Sequence, residues 1–187
     1  MSNANNNIVT RKNKGAFGKQ VVFRQRGGDT IMCNHPGPRT GEPTPDQLAV
    51  RERFNTAIRY ARAAIANEAL KAAYQAVAPE NRSAYNMAVA DAFKAPEIRS
   101  IDSSQYTGLP NSTIRIDAMD DFRVESVYVQ LLNQAGDILE EGPAVTDPNS
   151  QYWIYTAISN NPAVAGSTVR AKATDLPGNA VTKDFLL

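Results

Sequence analysis

Cys33 and His35 are the chain's single cysteine and single histidine, and they stand two residues apart. Alternate residues of an extended strand share a face, so a thiolate–imidazole pair is the first chemistry the sequence offers. Such a pair needs a third group to orient the imidazole and a rigid turn to present the sulfur, and neither is marked nearby. Two ligands are too few for zinc, and one Cys with one His excludes a Cys-cluster or His-pair metal site. Asp117, Asp120, Asp121 and Asp175 flank predicted turns, where they can gather at one end of a β-structure. Hard carboxylates beside turn carbonyls suit Ca²⁺, but the spacing matches no EF-hand loop, and acids at such turns ordinarily cap backbone N–H groups. Glu140 and Glu141 are neighbours on a predicted strand, so they point to opposite faces and cannot act as a carboxylate pair. Gly15-Ala-Phe-Gly18 and Arg26-Gly27-Gly28 lack the Gly-Lys-Ser/Thr pattern and following helix of a phosphate loop. Asn111-Ser-Thr113 has the form of a glycosylation acceptor, a chance match in a chain that shows no signal peptide. The residues therefore assign no catalytic group, no cofactor and no metal ligand, and the expectation is that the chain is not an enzyme.

Charge is distributed more informatively than chemistry. The 187 residues carry a net charge of +1, with 42% apolar and 21% charged side chains, an ordinary globular composition. Residues 1–41 hold seven basic side chains (Arg11, Lys12, Lys14, Lys19, Arg24, Arg26 and Arg39) against Asp29, a net +6, whereas residues 101–187 come to −6. Such polarity suits either a basic arm for an anionic partner or head-to-tail self-association. No apolar run reaches the length of a spanning helix, and the start lacks the basic and apolar regions of a signal peptide. No membrane partner is expected, and the chain reads as cytoplasmic at synthesis.

Three kinds of element must position these residues, making the fold class α+β. Residues 1–44 open with Asn-rich sequence expected to be disordered in isolation. A hairpin follows, in which Val21–Gln25 and Thr30–Asn34 flank Arg26-Gly-Gly-Asp29, and a Pro/Gly-rich linker closes the segment. Residues 45–96 read as about three helices. Thr44-Pro45-Asp46-Gln47 joins an N-cap, a first-position proline, an acid and a capping box. Val50, Phe54, Ala57/Ile58, Ala61 and Ile65 then form an apolar stripe, Leu70, Ala73, Tyr74 and Val77 a second, and Tyr85, Ala88/Val89 and Ala92/Phe93 a third. So many of these contacts are alanine that the small bundle needs another surface to cover it. Residues 97–187 change to period 2. Strands are expected at 98–103, 112–118, 124–132, 137–141, 152–158, 168–174 and 180–185, forming a two-sheet sandwich with Trp153 as its large core residue.

Residues 112–187 resemble bacterial immunoglobulin-like and fibronectin-III-like modules. The resemblance rests on Thr113-Ile-Arg-Ile-Asp-Ala118, Val124-Glu-Ser-Val-Tyr-Val129 and Val169-Arg-Ala-Lys-Ala-Thr-Asp-Leu-Pro-Gly-Asn179. It implies an immunoglobulin-like β-sandwich, here without an inter-sheet disulfide. More loosely, the whole chain resembles uncharacterised bacterial proteins, through Gly18–Arg26, Pro45–Leu48, Arg51–Phe54, Tyr60–Ala64 and Ser83–Asp91. That resemblance implies the order of the segments and no activity.

The expected function is structural. A hairpin arm without an evident core of its own must dock on something, and opposite charge at the two ends favours a second copy. Strand addition to a sandwich edge is one way of docking. The arm contacts expected to carry assembly, or to meet an anionic partner, are Lys19, Val21, Phe23, Arg24, Arg26 and Ile31. A homo-oligomer is the leading partner expectation, with other proteins of a phage or phage-tail-like particle beside it. The alternatives are a nucleic-acid-associated protein using the basic arm with Phe23 for stacking, and a surface- or carbohydrate-binding module using Tyr106, Tyr152, Trp153 and Tyr155.

Overall fold

A computed structural model describes residues 2–4, 7–38, 41–148 and 150–187. Arg39 of the basic arm, Met1, Asn5 and Asn6 of its Asn-rich opening, and Asn149 of the predicted turn lie outside the described residues. The fold is mixed α+β, with three helices and two sheets among the described residues.

The expected hairpin forms as β3 (Val21–Arg26) and β4 (Asp29–Asn34), turning at Gly27 and Gly28, whose φ angles of +57° and +83° suit the twist of a two-residue turn. Two short strands join it, β1 (Ser2–Asn3) against β4 and β2 (Gly15–Phe17) against β3. The polar opening is thus part of a four-stranded sheet. Its backbone folds over Thr30, a fully buried residue whose hydroxyl accepts from Lys12 N, while Ala4 N donates to Thr30 O.

Helix α1 (Pro45–Ala66) starts as its sequence dictates: Thr44 Oγ1 accepts from Gln47 N, and Gln47 Oε1 accepts in return from Thr44 N. Asn67 caps α2 (Glu68–Ala76), and Ser83 caps α3 (Ala84–Phe93). The apolar stripe of α1 is buried only in its second half. Ala57, Ala61 and Ala64 are covered, whereas Val50 and Phe54, expected inside, are 51% and 47% exposed. Length explains the correction: α1 has 22 residues and α3 has 10, so at about 1.5 Å per residue α3 covers less than half of α1. Val77 and Ala73 of the second stripe are likewise exposed, because α2 packs inward through Tyr74 and Leu70. Along α3 the fully covered line is Ala84, Ala88 and Asp91, so an acid occupies the inward position beside the expected Ala92. Because residues 45–56 are exposed, losing the α1 cap has a local effect. Thr44→Ala is expected to weaken the start of α1 by about 1 kcal/mol, seen as faster amide exchange in the first turns with little change in the global melting temperature.

All seven strands expected in the third segment are present: β5 (Glu97–Asp102), β6 (Thr113–Met119), β7 (Val124–Leu132), β8 (Ile138–Thr146), β9 (Trp153–Thr156), β10 (Thr168–Asp175) and β11 (Ala180–Leu186). They form one antiparallel sheet in the order β11-β10-β7-β8-β9-β6-β5. Strand β8 pairs with β7 through Ala144 and with β9 at Val145 and Thr146, carrying the sheet round a corner. Its two halves close on one core, with Val127, Val129, Leu131, Val169, Ala171 and Ala173 facing Ile98, Ile114, Ile116 and Tyr155. The first and last strands meet where Lys183 Nζ donates to the carbonyls of Ile98 and Arg99 at 3.0 and 2.6 Å. Trp153 is not the central core residue. It lies at the start of β9, half-buried against the margin of the core, and Tyr155 and Tyr106 supply the buried aromatics.

Candidate functional site

Two places in the molecule concentrate features that packing alone does not explain. The first is the four-stranded sheet. Its strands pack on one another and hardly at all on the helices or the larger sheet. One approach to the rest of the chain is at the turn, where a Cβ on Gly27 would overlap the Asn81 carboxamide. Strand alternation divides the expected contact residues between two faces. Val21 and Phe23 share a face with Phe17 and Met32, while Arg24, Arg26 and Ile31 share the opposite face with Val22 and Cys33. Lys19 lies exposed in the turn before β3. Val21, Phe23 and Ile31 are only half-buried, Arg24 and Arg26 are exposed, and Phe17 and Met32 are 74% and 37% exposed. The sheet therefore has an apolar, aromatic face and a basic face, so Phe23 cannot stack on a ligand that Arg24 and Arg26 hold.

Cys33 Sγ is directed to Val22 O at 3.4 Å, and His35 Nδ1 lies 2.9 Å from Pro36 O. Each side chain is thus occupied by nearby backbone, with no orienting group joining the two. An open groove of about 790 Å³ runs along the uncovered half of α1, lined by Thr44, Gln47, Val50, Arg51, Phe54 and Phe93. There the Arg53 guanidinium lies 4.9 Å from the Phe93 ring centre and donates to Phe93 O at 3.0 Å.

The second place is the seam between the helices and the larger sheet. Phe122 and Leu176, from the β6–β7 and β10–β11 turns, complete the helical core formed by Ala61, Ala64, Tyr74, Ala84 and Ala88. This is the further surface that a bundle of alanines requires. Tyr74 is fully buried, its ring stacked on Phe122 with centres 4.2 Å apart. The Tyr74 hydroxyl donates to Asp91 Oδ2 at 2.6 Å and meets the Tyr60 hydroxyl at 2.9 Å. Burial first, and then the neighbouring Asp91, push the Tyr74 phenol far above its ordinary range. Across the seam, Asp175 accepts from Gly178 N and Asn179 N, and Asn179 Nδ2 donates onward to Ala92 O and Lys94 O. Lys94 pairs with Asp121 at 2.6 Å, an exposed contact at the rim.

Of the four aspartates flagged by turn position, the structure brings Asp120 and Asp175 to this seam, turns Asp121 to Lys94, and leaves Asp117 on β6 opposite Ser100. Asp91 joins the first two and was not anticipated. The signal was present, since it is the ionisable residue on the Ala84–Ala88 line of α3. Among the described residues, no group of three or more His, Cys, Asp or Glu side chains is arranged to hold a metal ion.

Glu140 and Glu141 separate as strand alternation requires. Glu141 is exposed beside Gln130, and Glu140 is buried, its Oε2 accepting from Ile158 N and Ser159 N at 2.9 and 2.6 Å. The aromatic residues considered for sugar binding do not form a surface platform: Tyr106 and Tyr155 are buried, Trp153 is half-buried, and Tyr152 is exposed. Among the described residues no helix is long and apolar enough to cross a membrane.

No protein-family model matches the chain, and no curated protein matches it. A solved engineered protein is similar at 18% identity, over 55% of this chain and 26% of its own, with a TM-score of 0.33. Likeness of that degree carries no argument about function.

Proposed function

We propose that this chain is a non-enzymatic structural protein that assembles with copies of itself through its N-terminal arm. In this reading residues 1–44 are the arm, 45–96 a helical segment, and 97–187 an immunoglobulin-like sandwich. The observation that carries it is the four-stranded sheet, whose aromatic face is met at Thr30 and Gln25 by Lys12 and Asn13 of the same arm and leaves Phe17 and Met32 exposed. A sheet with one apolar face gains stability by covering that face. The opposite charges of residues 1–41 and residues 101–187, +6 and −6, favour a neighbouring copy as the cover. The exposed stripe at Val50 and Phe54 offers further apolar surface for contact. The order β11-β10-β7 on one side of β8 and β9-β6-β5 on the other supports the immunoglobulin-like assignment.

The contact is made by faces rather than by strand addition. The outer strands β1 and β2 have two and three residues, short for templates, and Lys183 occupies carbonyls that an added strand on β5 would need. A virion or phage-tail-like particle is a setting consistent with such a subunit.

Mass in solution tests the proposal. At tens of micromolar the full chain is expected to sediment as an oligomer, and Phe17→Asp, at a site exposed in the monomer, is expected to shift it to the monomer with the seven-stranded sheet still folded by its Trp153 fluorescence. Raised salt should weaken assembly in parallel. A full chain that is monomeric at this concentration, or an oligomer indifferent to Phe17→Asp and to removal of residues 1–44, overturns the reading. Binding to nucleic acid that falls steeply with salt and is lost in Arg24→Glu/Arg26→Glu would favour the basic face instead.

A further inference from the structure

At the seam two buried carboxylate oxygens, Asp91 Oδ1 and Asp120 Oδ1, have no hydrogen-bond partner. Asp91 is 2% exposed. The second oxygen of each is satisfied, Asp91 Oδ2 by the Tyr74 hydroxyl at 2.6 Å and Asp120 Oδ2 by Phe122 N at 3.2 Å. The groups around Asp91 come from every element at the seam: Tyr60 from α1, Tyr74 from α2, Asp120 from the β6–β7 turn and Asp175 from the end of β10. The charged groups that face it are acids. The nearby cations are engaged elsewhere, Lys94 with Asp121 and Arg123 with Glu125. Two neighbouring acceptors without other partners in an acid-lined site fit an arrangement of hydrogen in which one carboxyl donates to the other.

We propose that Asp91 and Asp120 hold one proton between them, and that this proton is a pH-sensitive clasp fastening the helices to the seven-stranded sheet. With the proton in place, Asp91 bridges α3 to the β6–β7 turn. Without it, Asp91, Asp120 and Asp175 oppose one another as three negative charges, two of them buried and weakly screened, and the seam loosens. Burial first, and then Asp120 and Asp175, hold the Asp91 carboxyl up at about 7, against the Tyr74 hydroxyl that draws it down. The folded chain therefore keeps a proton that the unfolded chain releases near pH 4, so the stability from this group is fully present below about pH 4 and falls as pH rises towards 7.

Carboxyl-carbon NMR of the full chain tests the shared proton directly. The Asp91 resonance is expected to titrate near neutrality, and in Asp120→Asn its proton affinity is expected to fall at least tenfold, since the amide then donates to Asp91 permanently. Amide protection factors read the clasp. From pH 6 to pH 8.5, protection in α3 and the β6–β7 turn should drop at least tenfold, while Val129 and Ala171 in the sheet core stay protected. Asp91→Asn supplies a donor at every pH and should abolish that drop. If Asp91 titrates near pH 4, or if Asp91→Asn loses protection with pH as the parent does, the proposal is overturned. The titration is measured on the unaltered chain, so the test stands even where a variant fails to fold.

Discussion

Replacing Tyr74 by alanine is expected to cost the fold about 4 kcal/mol, the largest single effect in the helical half of the molecule. Three losses combine. The ring is fully buried, so its removal leaves a cavity among alanines too small to collapse into it. The stack on Phe122, which ties α2 to the β6–β7 turn, disappears. Asp91 Oδ2 and the Tyr60 hydroxyl also lose their shared partner. The effect should be confined. Trp153 is the chain's single tryptophan and lies in the seven-stranded sheet, so its fluorescence reports the sheet while ellipticity at 222 nm reports mainly the helices. Tyr74→Ala should separate the two transitions, with helical signal lost first and the tryptophan transition close to its parent temperature. Coincident loss of both signals at the lower temperature would show that the seam joins one cooperative unit instead. Tyr74→Phe keeps the ring and its stack and should cost only about 1–2 kcal/mol. It also removes the hydroxyl that draws the Asp91 carboxyl down, so the titration near neutrality should move upward.

Glu140→Ala is expected to destabilise the seven-stranded sheet by about 3 kcal/mol, and here the tryptophan signal should move while the helical signal lags. Glu140 turns inward from β8 and holds the segment after β9 through two backbone N–H groups, at Ile158 and Ser159. Alanine leaves both donors without an acceptor in a partly buried site, and the penalty for an unmade hydrogen bond exceeds the net gain of a made one. The Tyr155 hydroxyl lies beside the same carboxylate, and burial followed by the Glu140 charge raises its phenol well above the ordinary range. Glu140→Gln retains one acceptor oxygen and should recover roughly half of the loss. Glu141→Ala next to it, on an exposed position, should stay within about 0.5 kcal/mol of the parent. Equal costs at the two positions would show that burial of Glu140 does not control the effect.

The local elements were legible because their signals are local. The Thr44–Gln47 capping box, the Gly27-Gly28 turn and the period-2 runs around Val129 and Ala171 each act within a few residues, and each forms as written. Alternation also contained more than the arm's composition conveyed. Phe23 and Arg24 are adjacent on a strand, so they occupy opposite faces, and five of the six expected arm contacts divide between an apolar and a basic face, with Lys19 in the turn before them.

Which apolar positions would be used was not legible. Val50 and Phe54 continue the same stripe as Ala57 and Ala61, but a helix stripe is buried only where another element reaches it, and α3 ends at Phe93, which meets Phe54 edge-on and leaves the turns before it bare. Trp153 shares a face with Tyr155, yet its place as the first residue of β9 puts it at the margin of the core. Asp91, Asp120 and Asp175 are separated by up to 84 residues and meet because α3 ends against two turns of the sheet. Periodicity and capping depend on atoms a few bonds apart, so the amino-acid order alone determined the three helices, the hairpin and the seven strands of the third segment. Strands β1 and β2, the acid-lined seam and the exposed part of the aromatic face depend on which element lies beside which, and only the packed structure decided them.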